Sequence, residues 1–425
     1  MTYETVRGMR DILPEEVGQW TALEAQVREV ARRYNYREIR PPIVEYTDLF
    51  TRGIGEATDV VGKEMFTFPD KKGRSLTLRP EATASVVRAY VEHGLYTKEP
   101  FQKLFYVGPM FRYEKPQKGR SRQFHQYGIE AIGSLEPSLD VEVIEFAWAL
   151  MESVGLGGLS LRLNSIGCAA DRERYRDVLR AHFRAGLDSL CEDCQRRYVE
   201  NPLRILDCKD PRCQSAIAAA PGSSDHLCPD CAAHFADVRR LLDEQALSFR
   251  IDPRLVRGLD YYTRTVFELV SEDLGAQDAL LGGGRYDDLV ERLGGPSTPG
   301  VGFAGGMDRL ALVLTERGEE LASSARLDLF LVALGESGRK AAVSLARALR
   351  QAGVSADLDY RRRPLRKQMA YADALRARTV LVLGEDEVAG GKARLKDMDA
   401  REEEEVPLTV GGLSDAIAKR RARWS

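Results

Sequence analysis

Apolar residues recur at three- and four-residue spacing through QWTALEAQVREVARRY, residues 19–34, which predicts an amphipathic helix. The chain then runs into YREIRPPIVEYTDLF, a strand-like stretch interrupted by Pro41 and Pro42. A second helix is predicted from Pro80 to His93, with Pro80 suited to its first turn. Alternation reappears in VGPMFRYE and again after residue 122, with a cation-rich loop between. From about 166 to 248 short helical patterns are broken by PLRILDCKDP and AAPGSSDHLCPD. Strand character returns at YYTRTVFELVSE, followed by LGGGR as a turn and a helix over YDDLVERL.

Residues 311–325 read as a helix end and a linker. Beyond Leu327 the pattern is strand (LDLFLVAL), helix (RKAAVSLARALRQAG), strand (VSADLDY), helix (LRKQMAYADALRA) and strand (TVLVLG). Strands alternating with helices predict a small α/β domain. The acidic run Glu402–Glu405 reads as a solvated loop.

Composition narrows the class. A chain of 425 residues exceeds one ordinary core, so two or three domains are expected. It is 44% apolar and 30% charged, and no window approaches the roughly 18 uninterrupted apolar residues of a membrane span. No membrane partner is therefore expected. The N-terminal MTYETVRGMRDILPEE has no apolar core of the kind a secretory signal needs, so the expected location is cytoplasmic. The formal net charge of −3 neither favours nor excludes a nucleic acid, which a local basic patch would bind. One such concentration is Arg361, Arg362, Arg363, Arg366 and Lys367, although a basic helix face is commonly just solvated.

Candidate chemistry is densest in residues 105–133. A strand carries Arg112, the loop holds Lys115, Lys118, Arg120 and Arg122, and the return strand holds Gln126 and Glu130. Guanidinium groups bind phosphate oxygens bidentately, so such a hairpin suits a phosphate-bearing ligand; by charge alone a solvated tip is the commoner reading. Residues 300–305, GVGFAG, match G-x-G-x-x-G but follow a turn rather than a strand, so no dinucleotide fold is read there. Seven cysteines, six of them between Cys191 and Cys231, fit a reducing compartment. Cys191-x-x-Cys194 and Cys228-x-x-Cys231 have zinc-ligand spacing, with Cys208 and Cys213 between them. Reduced, partly buried thiols are the expected state, and a structural zinc on the two pairs is the alternative.

Taken together, these segments resemble class II aminoacyl-tRNA synthetases and, in detail, the histidine–tRNA ligases. REIRPPIVE is similar to the first class motif, the 105–133 hairpin to the second and GVGFAGGMDRL to the third. LRPEATA, LVRGLDYYTRTVFE and GGGRYDDL match segments of the histidine enzymes, and the resemblance covers nearly the whole chain. It implies an α+β catalytic domain on an antiparallel sheet at 1–325, interrupted by a mostly helical insertion at 166–248, and a C-terminal α/β anticodon-binding domain at 326–425. The implied reaction is ATP-dependent ligation of L-histidine to tRNA(His) through a histidyl-adenylate, with Mg²⁺ accompanying ATP. A homodimer through the Pro42 region is also implied.

By the same resemblance, Arg112 and Arg257 would contact the α-phosphate, Arg112 also bridging the histidine carboxylate, and Arg309 would hold the γ-phosphate. Glu81, Thr83 and Gln126 would hold the α-amino group, Glu130 and Tyr262 would address the imidazole, and Tyr261 would help wall the pocket. Arg120 and Arg122 in the hairpin loop, with Arg362 and Arg366 in the C-terminal domain, are the expected tRNA contacts. Activation by carboxylate attack on phosphorus needs no protein nucleophile, only anions held together and charge stabilised. A regulatory subunit of ATP phosphoribosyltransferase shares the catalytic fold. It is disfavoured by the complete RGLDYYT segment, by Arg112 and Arg309, and by the domain beyond the linker.

Overall fold

The computed structural model describes residues 3–55, 58–271, 279–318, 321 and 326–424. It divides into two compact units, Met1–Leu321 and Ala322–Ser425. The expected domain junction at 325/326 falls beside residues 322–325, which lie outside the described residues.

The first unit is built on an eight-stranded sheet. Its spatial order is Arg37–Glu38, Gln102–Phe111, Gln123–Ile132, Gly300–Gly306, Ala279–Arg285, Thr263–Ser271, Leu159–Ser165 and Phe249–Ile251. The inner pairings are antiparallel, while the two outermost strands each join in parallel. The body of the sheet is thus antiparallel, as expected, and the two short edge strands add parallel pairings that make it mixed. Each parallel edge follows from a long excursion that brings the chain back in the same direction. Helices Pro14–Arg33, Pro137–Ser153 and Met307–Arg317 cover one face. Pro14–Arg33 opens with proline in its first turn and buries Trp20, Leu23, Val27, Val30 and Ala31, a single helical stripe.

Three elements depart from the sequence reading for identifiable reasons. The predicted Pro80–His93 helix starts at Thr83, because the Glu81 carboxylate accepts the Thr83 and Ala84 amides at 2.7 and 2.9 Å and so caps the helix from outside it. LGGGR is strand, Ala279–Arg285, rather than turn. A Cβ on Gly283 would run into the Gly302 carbonyl and Phe303, so the glycines permit close approach of neighbouring strands. Tyr261 and Tyr262 precede the Thr263–Ser271 strand rather than lying within it.

Helices Ala169–Arg184, Glu192–Glu200, Pro211–Ala218 and Pro229–Glu244 lie between the Leu159–Ser165 and Phe249–Ile251 strands. Those two strands pair directly, Leu161 opposite Phe249, so this helical excursion leaves and re-enters the sheet at one place.

The second unit carries a five-stranded sheet in the order Ala356–Leu358, Leu329–Ala333, Thr379–Leu383, Lys392–Asp397 and Glu403–Pro407. The first three strands are parallel and the last two antiparallel. The acidic run read as a loop begins this edge strand. Its charges pair with neighbours: Glu405 with Lys392 at 3.1 Å, Glu403 with Arg394 at 3.6 Å and Glu404 with Arg420 at 2.9 Å.

Candidate active site

A cavity of about 460 Å³ opens over the sheet of the first unit. The antiparallel pair Gln102–Phe111 and Gln123–Ile132 brings Arg112, Arg120 and Gln126 to it, and helix Met307–Arg317 delivers Arg309 from its first turn. Arg257 enters from the segment before the Thr263–Ser271 strand. The three arginines expected to meet phosphate thus share one cavity.

Each is set by its surroundings. Arg112 donates through Nε to the Pro80 carbonyl at 2.9 Å and lies over the Phe124 ring, 5.4 Å from its centroid. The guanidinium plane is therefore fixed by both a bond and a stack. Arg257 pairs with Glu268. Gly282 lies directly against it, and a Cβ there would displace the guanidinium. Gln126 Oε1 is buried without a partner among the described residues.

Beside the cavity the polar groups form a buried network. Thr83 Oγ1 donates to Glu130 Oε1 at 2.7 Å and the Tyr286 hydroxyl donates to Glu130 Oε2 at 2.5 Å. Burial pushes the Glu130 carboxyl up to about 8, against the opposing pull of those two hydroxyls. Burial also raises Glu81, whose two amide bonds pull the other way. Tyr261 stands with its ring centroid 4.7 Å from Tyr262 and 5.9 Å from Tyr286, and Tyr106 is buried near the same carboxylates. Gly302 leaves the space for Glu130, since a Cβ there would strike its carboxylate. Tyr286 and Tyr106 were missed by the sequence reading. A tyrosine following GGGR was the available signal for Tyr286, whereas Tyr106 is indistinguishable from strand packing.

The loop residues diverge. Arg120 lines the cavity and pairs with Glu114 at 3.3 Å. Arg122 stacks on Tyr113, 3.7 Å from the ring centroid, and donates to the Arg7 carbonyl at 3.2 Å, tying down the N-terminal segment. Arg362 and Arg366 are exposed on the second unit.

The two Cys-x-x-Cys pairs do not meet. Cys191 and Cys194 gather with Cys208 and Cys213, whereas Cys228 and Cys231 gather with Cys168 and Asp171. This corrects the single zinc site across both pairs, because each pair opens a different helix and gathers its own set of partners. Among the described residues, such clusters of metal-ligating side chains lie in the helical excursion and not in the cavity.

The histidyl-tRNA synthetase family model matches residues 8–310, and an anticodon binding domain model matches residues 328–417. The chain belongs to the histidyl-tRNA synthetase family. A histidine–tRNA ligase of Moorella thermoacetica is 51% identical over 404 residues, covering 95% of this chain and 96% of its own length. One of Halothermothrix orenii is 48% identical over 419 residues, with 99% and 100% covered. Among solved structures, apo S. aureus histidyl-tRNA synthetase superposes with a TM-score of 0.80 at 41% identity, covering 96% of this chain and 98% of that one. The family match spans both the cavity and the Glu130 network, and the second model spans the five-stranded unit.

Proposed function

We propose that this chain ligates L-histidine to tRNA(His), using ATP and releasing AMP and pyrophosphate. The observation that carries this reading is the cavity shared by Arg112, Arg257 and Arg309 beside the buried Glu130 network. A histidine carboxylate oxygen attacks the α-phosphorus, the bond to the bridging oxygen breaks, and pyrophosphate leaves with the electron pair. A terminal ribose hydroxyl of the tRNA then attacks the acyl carbon, and AMP departs. Arg112, locked by Pro80 and Phe124, bridges carboxylate and α-phosphate. Arg257 stabilises the charge that builds on phosphorus, and Arg309 holds the γ-phosphate. Mg²⁺ bound together with ATP would supply further charge neutralisation beside these arginines.

Histidine selection rests on Glu130 and Tyr262 at the imidazole, with Glu81, Thr83 and Gln126 at the α-amino group and Tyr261 as wall. The shared Thr83–Glu130 bond joins the two halves of that recognition. A site built from buried polar partners rejects side chains that leave them unmatched. Arg120 at the cavity and Arg362 and Arg366 on the second unit contact tRNA, and Arg122 acts by holding the loop and the N-terminal segment. Residues 166–248 form the insertion and 326–425 the anticodon-binding domain. The chain works in the cytoplasm as a homodimer. Seven cysteines with none in a disulfide support the first point, and the exposed apolar Ile43, Val44 and Tyr46 after Pro42, with Phe68 on the same small sheet, support the second.

ATP–pyrophosphate exchange, run without tRNA and with each standard amino acid separately, tests the reading. Exchange with histidine alone is expected. Histidine binding by calorimetry without exchange would favour the regulatory-subunit reading instead.

A further inference from the structure

Cys191, Cys194, Cys208 and Cys213 are all buried, and their sulfurs lie within 4.8 Å of one another. Cys191 Sγ and Cys208 Sγ stand 3.7 Å apart. A disulfide would require about 2.05 Å. Four thiolates about 2.3 Å from a central zinc define a tetrahedron whose edge is about 3.8 Å. An iron–sulfur cluster places inorganic sulfide and several irons among its ligands, which spreads the cysteine sulfurs farther than this.

The backbone is arranged for thiolates. Cys191 caps helix Glu192–Glu200 and Cys194 occupies its first turn, where the helix dipole favours negative charge. The Cys191 amide donates to Cys213 Sγ at 3.3 Å and the Asp210 amide donates to Cys208 Sγ at 3.4 Å. Buried sulfurs that attract backbone donors behave as acceptors, a role suited to metal-bound thiolate rather than to neutral thiol.

The position of the cluster matters. The chain between Cys194 and Cys208 carries Asn201, Arg204 and Asp207. Asn201 donates to Asp260 at 3.0 Å, and Arg204 donates to the Arg257 carbonyl at 3.3 Å and to Asp59 at 3.4 Å. Arg204 and Asp207 both line the cavity. Fixing Cys194 and Cys208 at a common centre holds this span against the segment that bears Arg257.

We propose that Cys191, Cys194, Cys208 and Cys213 bind one structural Zn²⁺ per chain, and that this metal braces the Asn201–Asp207 wall of the cavity. The thiol protons pass to solvent on binding and no electron transfer occurs. The bracing role rests on the cavity being the active site, whereas the metal assignment does not. The set Cys168, Asp171, Cys228 and Cys231 is left out, because the Asp171 carboxylate already accepts the Cys168 and Cys228 amides at 3.2 and 3.0 Å and pairs with Arg174.

The test is elemental analysis of the full chain purified without chelators or metal-affinity resin. About one zinc per chain is expected. The Cys208→Ser/Cys213→Ser double variant should contain none, and the Cys228→Ser/Cys231→Ser double variant should keep it. If the first variant fails to fold, growth of the unaltered chain in cobalt(II) should yield thiolate-to-cobalt charge-transfer absorption with the ligand-field bands of a tetrahedral sulfur site. A chain lacking both zinc and these bands, or zinc retained in the Cys208/Cys213 variant, overturns the metal site. Unchanged hydrogen exchange at residues 200–208 after metal removal overturns the brace alone. Zinc present without histidine-dependent exchange counts against the catalytic reading, not against the metal.

Discussion

Glu130 is a carboxyl whose proton is worth following. Its folded-state value of about 8 lies above its ordinary 4.5, so the native protein holds a proton there that the unfolded chain releases. The resulting stability is fully present below 4.5 and is lost as pH rises through about 8. Glu130→Gln cannot ionise, so its melting temperature should gain on the parent's between pH 6 and pH 9 in matched salt. Parallel melting curves across that range would remove the argument. The same variant should weaken histidine binding by up to about 10-fold by calorimetry, as expected for an altered hydrogen bond to a neutral carboxyl. At Arg257 the expectation is a split. Arg257→His should depress histidine-dependent exchange far more than histidine affinity, and equal losses would deny it a role in the transition state. Among single residues, the gathering of Arg112, Arg257 and Arg309 at one cavity was legible because their flanking letters are distinctive. Tyr286 and Tyr106 were not, since a tyrosine aimed at a buried carboxylate and one packed in a sheet have the same local sequence.

For whole elements, alternation served well where side chains alternate and failed where there are none. The Ala279–Arg285 strand looked like a turn because three consecutive glycines carry no pattern, and only the neighbouring strands explain them. Charge misled at Glu402–Glu405, where the partners Lys392, Arg394 and Arg420 come from other elements. Nor did periodicity foretell how the Pro137–Ser153 helix is tied to the glycine strand. Arg285 and Asp140 are both fully buried and meet at 2.6 Å, and Arg285 also donates to the Ser134 and Glu136 carbonyls at 3.0 Å each. Removing one member strands a buried charge, so Asp140→Ala should cost roughly 3–5 kcal/mol in urea unfolding at neutral pH. A loss below about 1 kcal/mol would mean that Arg285 finds water when its partner is gone.

The order of the two units was readable because hydrophobic spacing changes character near residue 327. The sheet order was not, because strands far apart in sequence pair by tertiary packing that no local window contains. The apolar residues Val44, Tyr46 and Phe68 lie on a small three-stranded sheet, with Ile43 just before its Val44–Tyr46 strand, and all four remain exposed in a single chain. Burial against a second copy would explain them. Ile43→Asp with Tyr46→Asp should then shift sedimentation from dimer to monomer and cut exchange activity, whereas an unaltered sedimentation profile would locate the contact elsewhere. The principal sheet has a different vulnerability. It ends on one side with the two-residue strand Arg37–Glu38 and on the other with the three-residue strand Phe249–Ile251, which carries Arg250 at its centre. Strands this short and charged offer almost no template for a foreign strand, so the catalytic sheet should resist the edge-to-edge addition that seeds aggregation while the chain is being made and folded.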